Sequence, residues 1–232
     1  MKRRFAASVS LALATTLTIN GCATLPEPGT PLTAEQRHKA QRDCLIQYTV
    51  IGGLGGALLG NLLGGNTKGT LIGAVAGTAI AYAVAWGKCL SHYSDLASFP
   101  VADAQQTAAQ IGWQPSRGSE VKIQNYSLAP LNLKPGSGVD MTGRYYVMGP
   151  AGTQDVKVTE TRTVAYFDPA ENKWKDLGSV DQNVTVAMGT RRAEGHFDLP
   201  PDVPDGRYRV TLAVSALGRS DSASQEILVK KA

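Results

Sequence analysis

The sequence predicts an α + β multidomain protein, an apolar helical hairpin followed by an antiparallel β-sandwich. Three observations predict it. Glycine recurs at every fourth residue in two adjacent apolar runs. The first run is Gly52, Gly56, Gly60 and Gly64; the second is Gly69, Gly73 and Gly77, continued by Ala81 and Ala85. Two cysteines, Cys44 and Cys89, flank these runs. From Glu120 onward, apolar and polar residues alternate in segments separated by turn residues, the period of strands.

The N-terminus comes first. Lys2, Arg3 and Arg4 precede an apolar stretch from Phe5 to about Thr18. That stretch is too short to span a bilayer and predicts a secretory signal peptide over residues 1–21. The ending Ile19-Asn20-Gly21-Cys22 resembles a bacterial lipobox, with Asn20 departing from the small or apolar residue usual there. The resemblance implies cleavage after Gly21 and acylation of Cys22 by palmitate-type chains. Ala23 follows rather than Asp, which in the bacterial sorting pattern favours the outer membrane. Each buried methylene of such a chain contributes about 0.8 kcal/mol of anchoring. Loss of Lys2, Arg3 and Arg4 takes the net charge from +4 to about +1. Charge therefore gives no case for nucleic acid as a partner.

Residues 22–32 carry Pro26, Pro28 and Pro31 and predict an extended tether. Thr33-Ala34-Glu35-Gln36 fits a capping box, so a helix starts there. The hairpin is assigned to residues 33–99. Four residues are roughly one helical turn, so each glycine run is a stripe of bare backbone along one helix face. Smooth faces of this kind let helices approach closely, either in lipid or packed within a soluble oligomer. Asn66-Thr67 supplies a polar break at which the two helices can fold back. Cys44 and Cys89 are equidistant from that break and lie at the same height. A disulfide between them follows, in the oxidising compartment an exported protein reaches. It stabilises the hairpin by about 2–4 kcal/mol. Leu45 to Gly65 is about 31 Å as a helix, close to a hydrocarbon core. Between Asp43 and Lys88 the only formal charge is Lys68, at the tip. Tyr48, Tyr82 and Trp86 read either as an interfacial aromatic belt or as helix packing.

The lipobox and the paired GxxxGxxxG helices resemble the glycine-zipper 2TM lipoproteins of Gram-negative envelopes, the SlyB-type group. The resemblance covers residues 22–90. It implies a structural outer-membrane lipoprotein that self-associates, with membrane lipid as a partner.

Beyond the hairpin, residues 100–118 predict a short helix, Ala102 to Ile111, and a linker with Gly112 and Pro115. Residues 119–232 predict seven strands: 121–123, 139–148, 156–167, 176–187, 192–199, 206–217 and 223–230. Strands at this spacing suggest an antiparallel sandwich. The segment from Leu199 to Val210 resembles the lead-in to a late strand of immunoglobulin-like domains, where a tyrosine closes a corner. Tyr208 takes that place.

No chemistry-bearing constellation stands out. The three histidines, His38, His92 and His196, are scattered and form no metal-ligand pair. No GxSxG elbow occurs, and Gly60 to Gly65 leads to Asn66 where a phosphate loop needs Lys. Arg191-Arg192 reads as a solvated turn. No catalytic residue, metal or cofactor is therefore expected. The expected function is a non-enzymatic outer-membrane lipoprotein that self-associates through its hairpin. Its sandwich projects into the periplasm toward an envelope protein partner. Two other readings stay open: an oligomeric subunit of an export or transport complex, and a glycan- or peptidoglycan-binding module. For the latter, Tyr145, Tyr146, Tyr166 and Trp174 supply aromatic surface.

Overall fold

The computed structural model describes residues 32–54 and 82–231. The signal segment, Cys22 and the glycines from Gly56 to Gly77 lie outside the described residues; Gly52 lies on helix α1. Helix α1 (Ala34–Leu54) opens on the capping box that its sequence encodes. The Gln36 N–H donates to Thr33 Oγ1 at 3.3 Å, and the Thr33 N–H donates to Gln36 Oε1 at 2.9 Å. Residues 82–88 form a second helical limb, which a short 3-10 turn, Leu90–His92, joins to the first strand. Among the described residues, no helix is long and apolar enough to cross a membrane.

Nine strands, rather than seven, follow: β1 (Ser94–Asp103), β2 (Glu120–Ala129), β3 (Asn132–Leu133), β4 (Gly138–Met148), β5 (Asp155–Asp168), β6 (Lys173–Ala187), β7 (Gly189–Asp198), β8 (Gly206–Ala216) and β9 (Arg219–Val229). They form two sheets, in the orders β1-β7-β4-β2 and β3-β9-β8-β5-β6. Pairing is antiparallel except for the short β3, which runs parallel to β9. Val139, Met141, Tyr145 and Phe197 of one sheet and Val164, Tyr208, Val210 and Leu212 of the other share one core.

The sandwich begins earlier than residue 119. Strand β1 lies inside the segments assigned to hairpin and linker, and pairs with β7 from Ser94 to Asp103. Its sequence hides it, because Pro100 interrupts the run. Proline is tolerated on an edge strand, and here the register shifts between Pro100 and Ala102. The following helix, α2 (Ala104–Ile111), is close to its predicted span. Asp103 caps it by accepting from the Gln106 N–H at 2.8 Å, and Gly112 ends it in the left-handed region, at φ 62°.

Side chains close the seams between the sheets. The backbone N–H groups of Ile123 and Leu128 on edge strand β2 donate to Asp221 and Gln225 of β9, at 2.8 and 2.7 Å. Tyr126 Oη crosses the core to donate to the Val210 carbonyl at 3.0 Å. These bonds satisfy donors that an open sheet edge otherwise leaves for another chain.

Candidate functional site

The two helical limbs meet the sandwich at one end, and that junction is the most constructed part of the molecule. Cys44 and Cys89 form a disulfide with a Cα–Cα distance of 5.9 Å. Both cysteines are buried. Around this tie α1 is held to the start of β1. Arg37 pairs with Asp95, and Gln41 Nε2 donates to the His92 carbonyl at 2.9 Å.

Trp86 enters the sandwich itself. It is 1% exposed, and its ring meets Tyr208 edge-on with centroids 6.1 Å apart. The sequence left Trp86 free to serve a lipid interface; the structure instead spends it on the protein core. Tyr208 is fully buried, with its Oη donating to the Pro204 carbonyl at 2.8 Å. Burial pushes its hydroxyl well above the usual tyrosine pKa. Tyr166 packs against it at 5.2 Å.

The limb also touches the sheet backbone to backbone. Register between β5 and β6 shifts at Val164/Ala165, leaving Leu177 as an extra residue beside Gly178. Gly87 lies against this bulge. A Cβ at Gly178 would sit 1.9 Å from the Gly87 carbonyl oxygen, and a Cβ at Gly87 would sit 2.3 Å from the Leu177 carbonyl carbon. Only a glycine pair permits that approach. Sandwich and limb are therefore one packed unit, with no spacer between them.

A second constellation lies inside the sandwich, and the sequence reading missed it. Glu160 and Arg162 are two apart on β5 and both fully buried. Arg162 Nη2 meets Glu160 Oε2 at 2.6 Å. Glu160 Oε1 accepts from Tyr145 Oη and from Ser98 Oγ, each at 2.6 Å. Arg191 extends the chain, donating to Ser98 Oγ and to its carbonyl at 3.1 Å. Arg191 is thus a buried partner and not part of a solvated turn. Burial, and next the Glu160 carboxylate, hold the Tyr145 hydroxyl far above its ordinary pKa. The Glu160–Arg162 pair lies inside the core, while Ser98 and Arg191 carry the chain of bonds outward to the β1 edge.

The two outer sheet faces differ in chemistry. The four-stranded face carries Asp95, Asp140, Arg144, Arg192, Glu194 and His196 across β1, β7 and β4. His196 Nδ1 lies 2.7 Å from Asp140 and Nε2 3.2 Å from Asp198. The hydrogen bond to Asp140 is the main cause that raises its pKa above the ordinary value. A raised folded-state pKa adds stability that is complete below the unfolded value near 6.5 and is lost as pH rises through the folded one. Wild-type chain is expected to lose a small increment of stability on going from about pH 6.5 to 8 that His196→Asn does not lose. Chemical denaturation of both at the two pH values checks this; parallel curves refute it.

The five-stranded outer face is hydroxyl-rich. One rung reads Ser224, Thr211, Thr163 and Ser179 across β9, β8, β5 and β6. The two rungs beyond it keep the pattern, with Asp181 their single formal charge. At the limb-bearing end of this face, Arg209 lies 3.8 Å from the Trp174 ring centroid, and Phe167 meets that ring at 5.3 Å. Glu226 pairs with Arg207 and Arg209 beneath. Of the four expected surface aromatics, Tyr145, Tyr146 and Tyr166 are buried and only Trp174 stays half-exposed. Among the described residues, no group of three His, Cys, Asp or Glu could hold a metal.

Residues 1–86 match the YMGG-like Gly-zipper family. The match takes in both glycine runs and ends at Trp86, where the zipper segment enters the sandwich. No curated protein matches the chain. Among solved structures, the sporulation control protein Spo0M of Bacillus subtilis is 20% identical with a TM-score of 0.35, covering 50% of each chain. The alkylpurine DNA glycosylase AlkC of Pseudomonas fluorescens is 11% identical with a TM-score of 0.38, over 86% of this chain and 48% of that one. The CARDB domain of the Pyrococcus furiosus PF1109 protein is 11% identical with a TM-score of 0.34, over 49% of this chain and 90% of that domain. The chain spans about half the length of the first two. Likenesses this remote carry no functional argument.

Proposed function

We propose that the chain is a structural, non-enzymatic lipoprotein of a bacterial outer membrane, of the SlyB type. Acylated Cys22 and the glycine-zipper hairpin hold it in lipid, and the hairpin self-associates. The sandwich stands in the periplasm and meets an envelope partner. The observation that supports this reading most is the junction. The disulfide, Trp86 and the Gly87–Gly178 contact fasten the described parts of the zipper limbs to the sandwich. A rigid mount of that kind suits a protein that holds a surface at a fixed attitude to a membrane.

The test is to express Cys22→Ser with export intact and to extract membranes with alkaline carbonate. The unlipidated chain is expected to stay with the membrane through its hairpin. Complete release into the wash refutes insertion.

A second reading draws on the hydroxyl-rich face and on Trp174. Protein interface cores are depleted in serine, whereas sugars exchange hydrogen bonds readily with hydroxyls and stack on aromatic rings. A glycan-binding role predicts that the full chain in detergent co-sediments with purified peptidoglycan and that Trp174→Ala weakens this. Equal sedimentation of both forms sinks it.

A further inference from the structure

The end of the sandwich that carries the limbs also carries an apolar and basic rim that its own fold does not use. Leu131 and Leu228 are each 42% exposed, large for leucine beside a well-packed core. They are neighbours, since the Leu228 N–H donates to the Leu131 carbonyl at 2.7 Å. The Lys230 N–H donates to the Leu133 carbonyl at 3.0 Å, so the segment is fixed and not a loose tail. Lys134, Lys230 and Lys231 stand exposed around the two leucines. Asp205, exposed in the same rim, accepts from the Lys231 N–H at 3.1 Å, and Glu226 is paired with Arg207 and Arg209.

This rim shares the end at which the limbs join. Val229 pairs with Gly206 at the start of β8. Two residues on, Tyr208 holds Trp86. Tyr82, the first described residue of the limb, lies within electrostatic range of Asp202 in the adjoining loop. The Trp174 cluster sits at the same end, beside Arg207 and Arg209.

From this we infer that the limb-bearing end of the sandwich docks on the bilayer surface. Leu131 and Leu228 dip to headgroup depth, and Lys134, Lys230 and Lys231 face anionic headgroups. The inference rests on the proposal that the hairpin enters lipid. Paired aliphatic side chains ringed by lysine are the composition of surfaces that lie in the interface plane. Lysine stems also extend across the apolar boundary while their ammonium groups stay with the headgroups. A hairpin that enters the membrane at this end brings the rim to the headgroups without a further ordering cost. Docking then fixes the tilt of the sandwich and keeps its hydroxyl-rich face upright.

The experiment uses the full chain reconstituted into vesicles of phosphatidylcholine and phosphatidylglycerol containing brominated lipid. Leu131→Cys carries a fluorescent label, and Ser220→Cys, at the far turn of β9, serves as the comparison. Eight residues of strand separate Ser220 from Leu228, about 27 Å. The Leu131 label is expected to be quenched by brominated lipid and the Ser220 label not. Replacing Lys230 and Lys231 together by Ala is expected to shift docking roughly 25-fold toward the free state, about fivefold for each lysine. That shift disappears in vesicles of phosphatidylcholine alone. Each preparation is also washed with carbonate. A chain that washes off overturns the hairpin reading and this inference with it. A chain that stays while both labels are equally unquenched overturns docking alone. A Leu131 label shielded from water yet unquenched also overturns it, because a protein then covers the rim.

Discussion

Glu160→Ala is expected to destabilise the sandwich by about 3–5 kcal/mol, the cost of leaving a buried charge without its partner. Arg162 is fully buried, and its strongest contact is the 2.6 Å pair with Glu160. Its Nε already has no hydrogen-bond partner among the described residues. Removing the carboxylate also strips the acceptor from Tyr145 and Ser98. Domain stability is typically about 5–15 kcal/mol, so this one change consumes a large share. The double variant Glu160→Leu, Arg162→Met is expected to recover most of the loss, because an apolar replacement of a buried pair is often neutral or better. Urea unfolding of the three proteins decides. A single variant within about 1 kcal/mol of wild type means that water or rearrangement rescues Arg162, and that the lattice is not what holds β5 against β1 and β4.

The same lattice shows why the sequence was only partly legible. Strand β5 alternates cleanly, and its span was readable from that alternation. Yet Glu160 and Arg162 occupy the parity of Val158 and Val164, which faces the core. The pattern that located the strand also marked two charges as buried, and that mark could have been read. Their partners could not, because Ser98 comes from β1, a strand masked by its proline. The capping box at Thr33 and the short helix ending at Gly112 depend on local spacing and were legible, and the cysteine pair was legible from its symmetry about the Asn66-Thr67 break. The role of Trp86 was not. A tryptophan near the end of an apolar helix has the same local signature whether it meets headgroups or the hydrophobic core of a following domain. Only the tertiary contact with Tyr208 separates the two. Likewise Gly87 continues a small-residue helix in the sequence, and its reason lies 91 positions away at Gly178.

Trp86→Ala is the second large effect, with an expected cost of about 3–5 kcal/mol for emptying a core tryptophan site. Its consequence differs in kind from that of Glu160→Ala. Trp86 fills the end of the sandwich and is also the limb's largest buried side chain, so its loss loosens the limb as well as opening a cavity. Gly178→Ala reaches the same result by another route. The new Cβ meets the Gly87 carbonyl oxygen at 1.9 Å, and because that atom is backbone it cannot swing aside. Either the β6 bulge or the limb must move, at about 1–3 kcal/mol for overpacking. In both variants the Cys44–Cys89 disulfide still ties the limbs to each other, so the expected outcome is a closed hairpin with an undocked sandwich. Hydrogen exchange is expected to rise across residues 82–93 while the strands β4, β5, β7 and β8 keep their protection. Ser179→Ala, one residue on and outward-facing, should leave both regions unchanged. If Gly178→Ala keeps the limb protected, the close approach of the two backbones is not what sets the attitude of the sandwich. The rigid-mount argument for its function would then lose its basis.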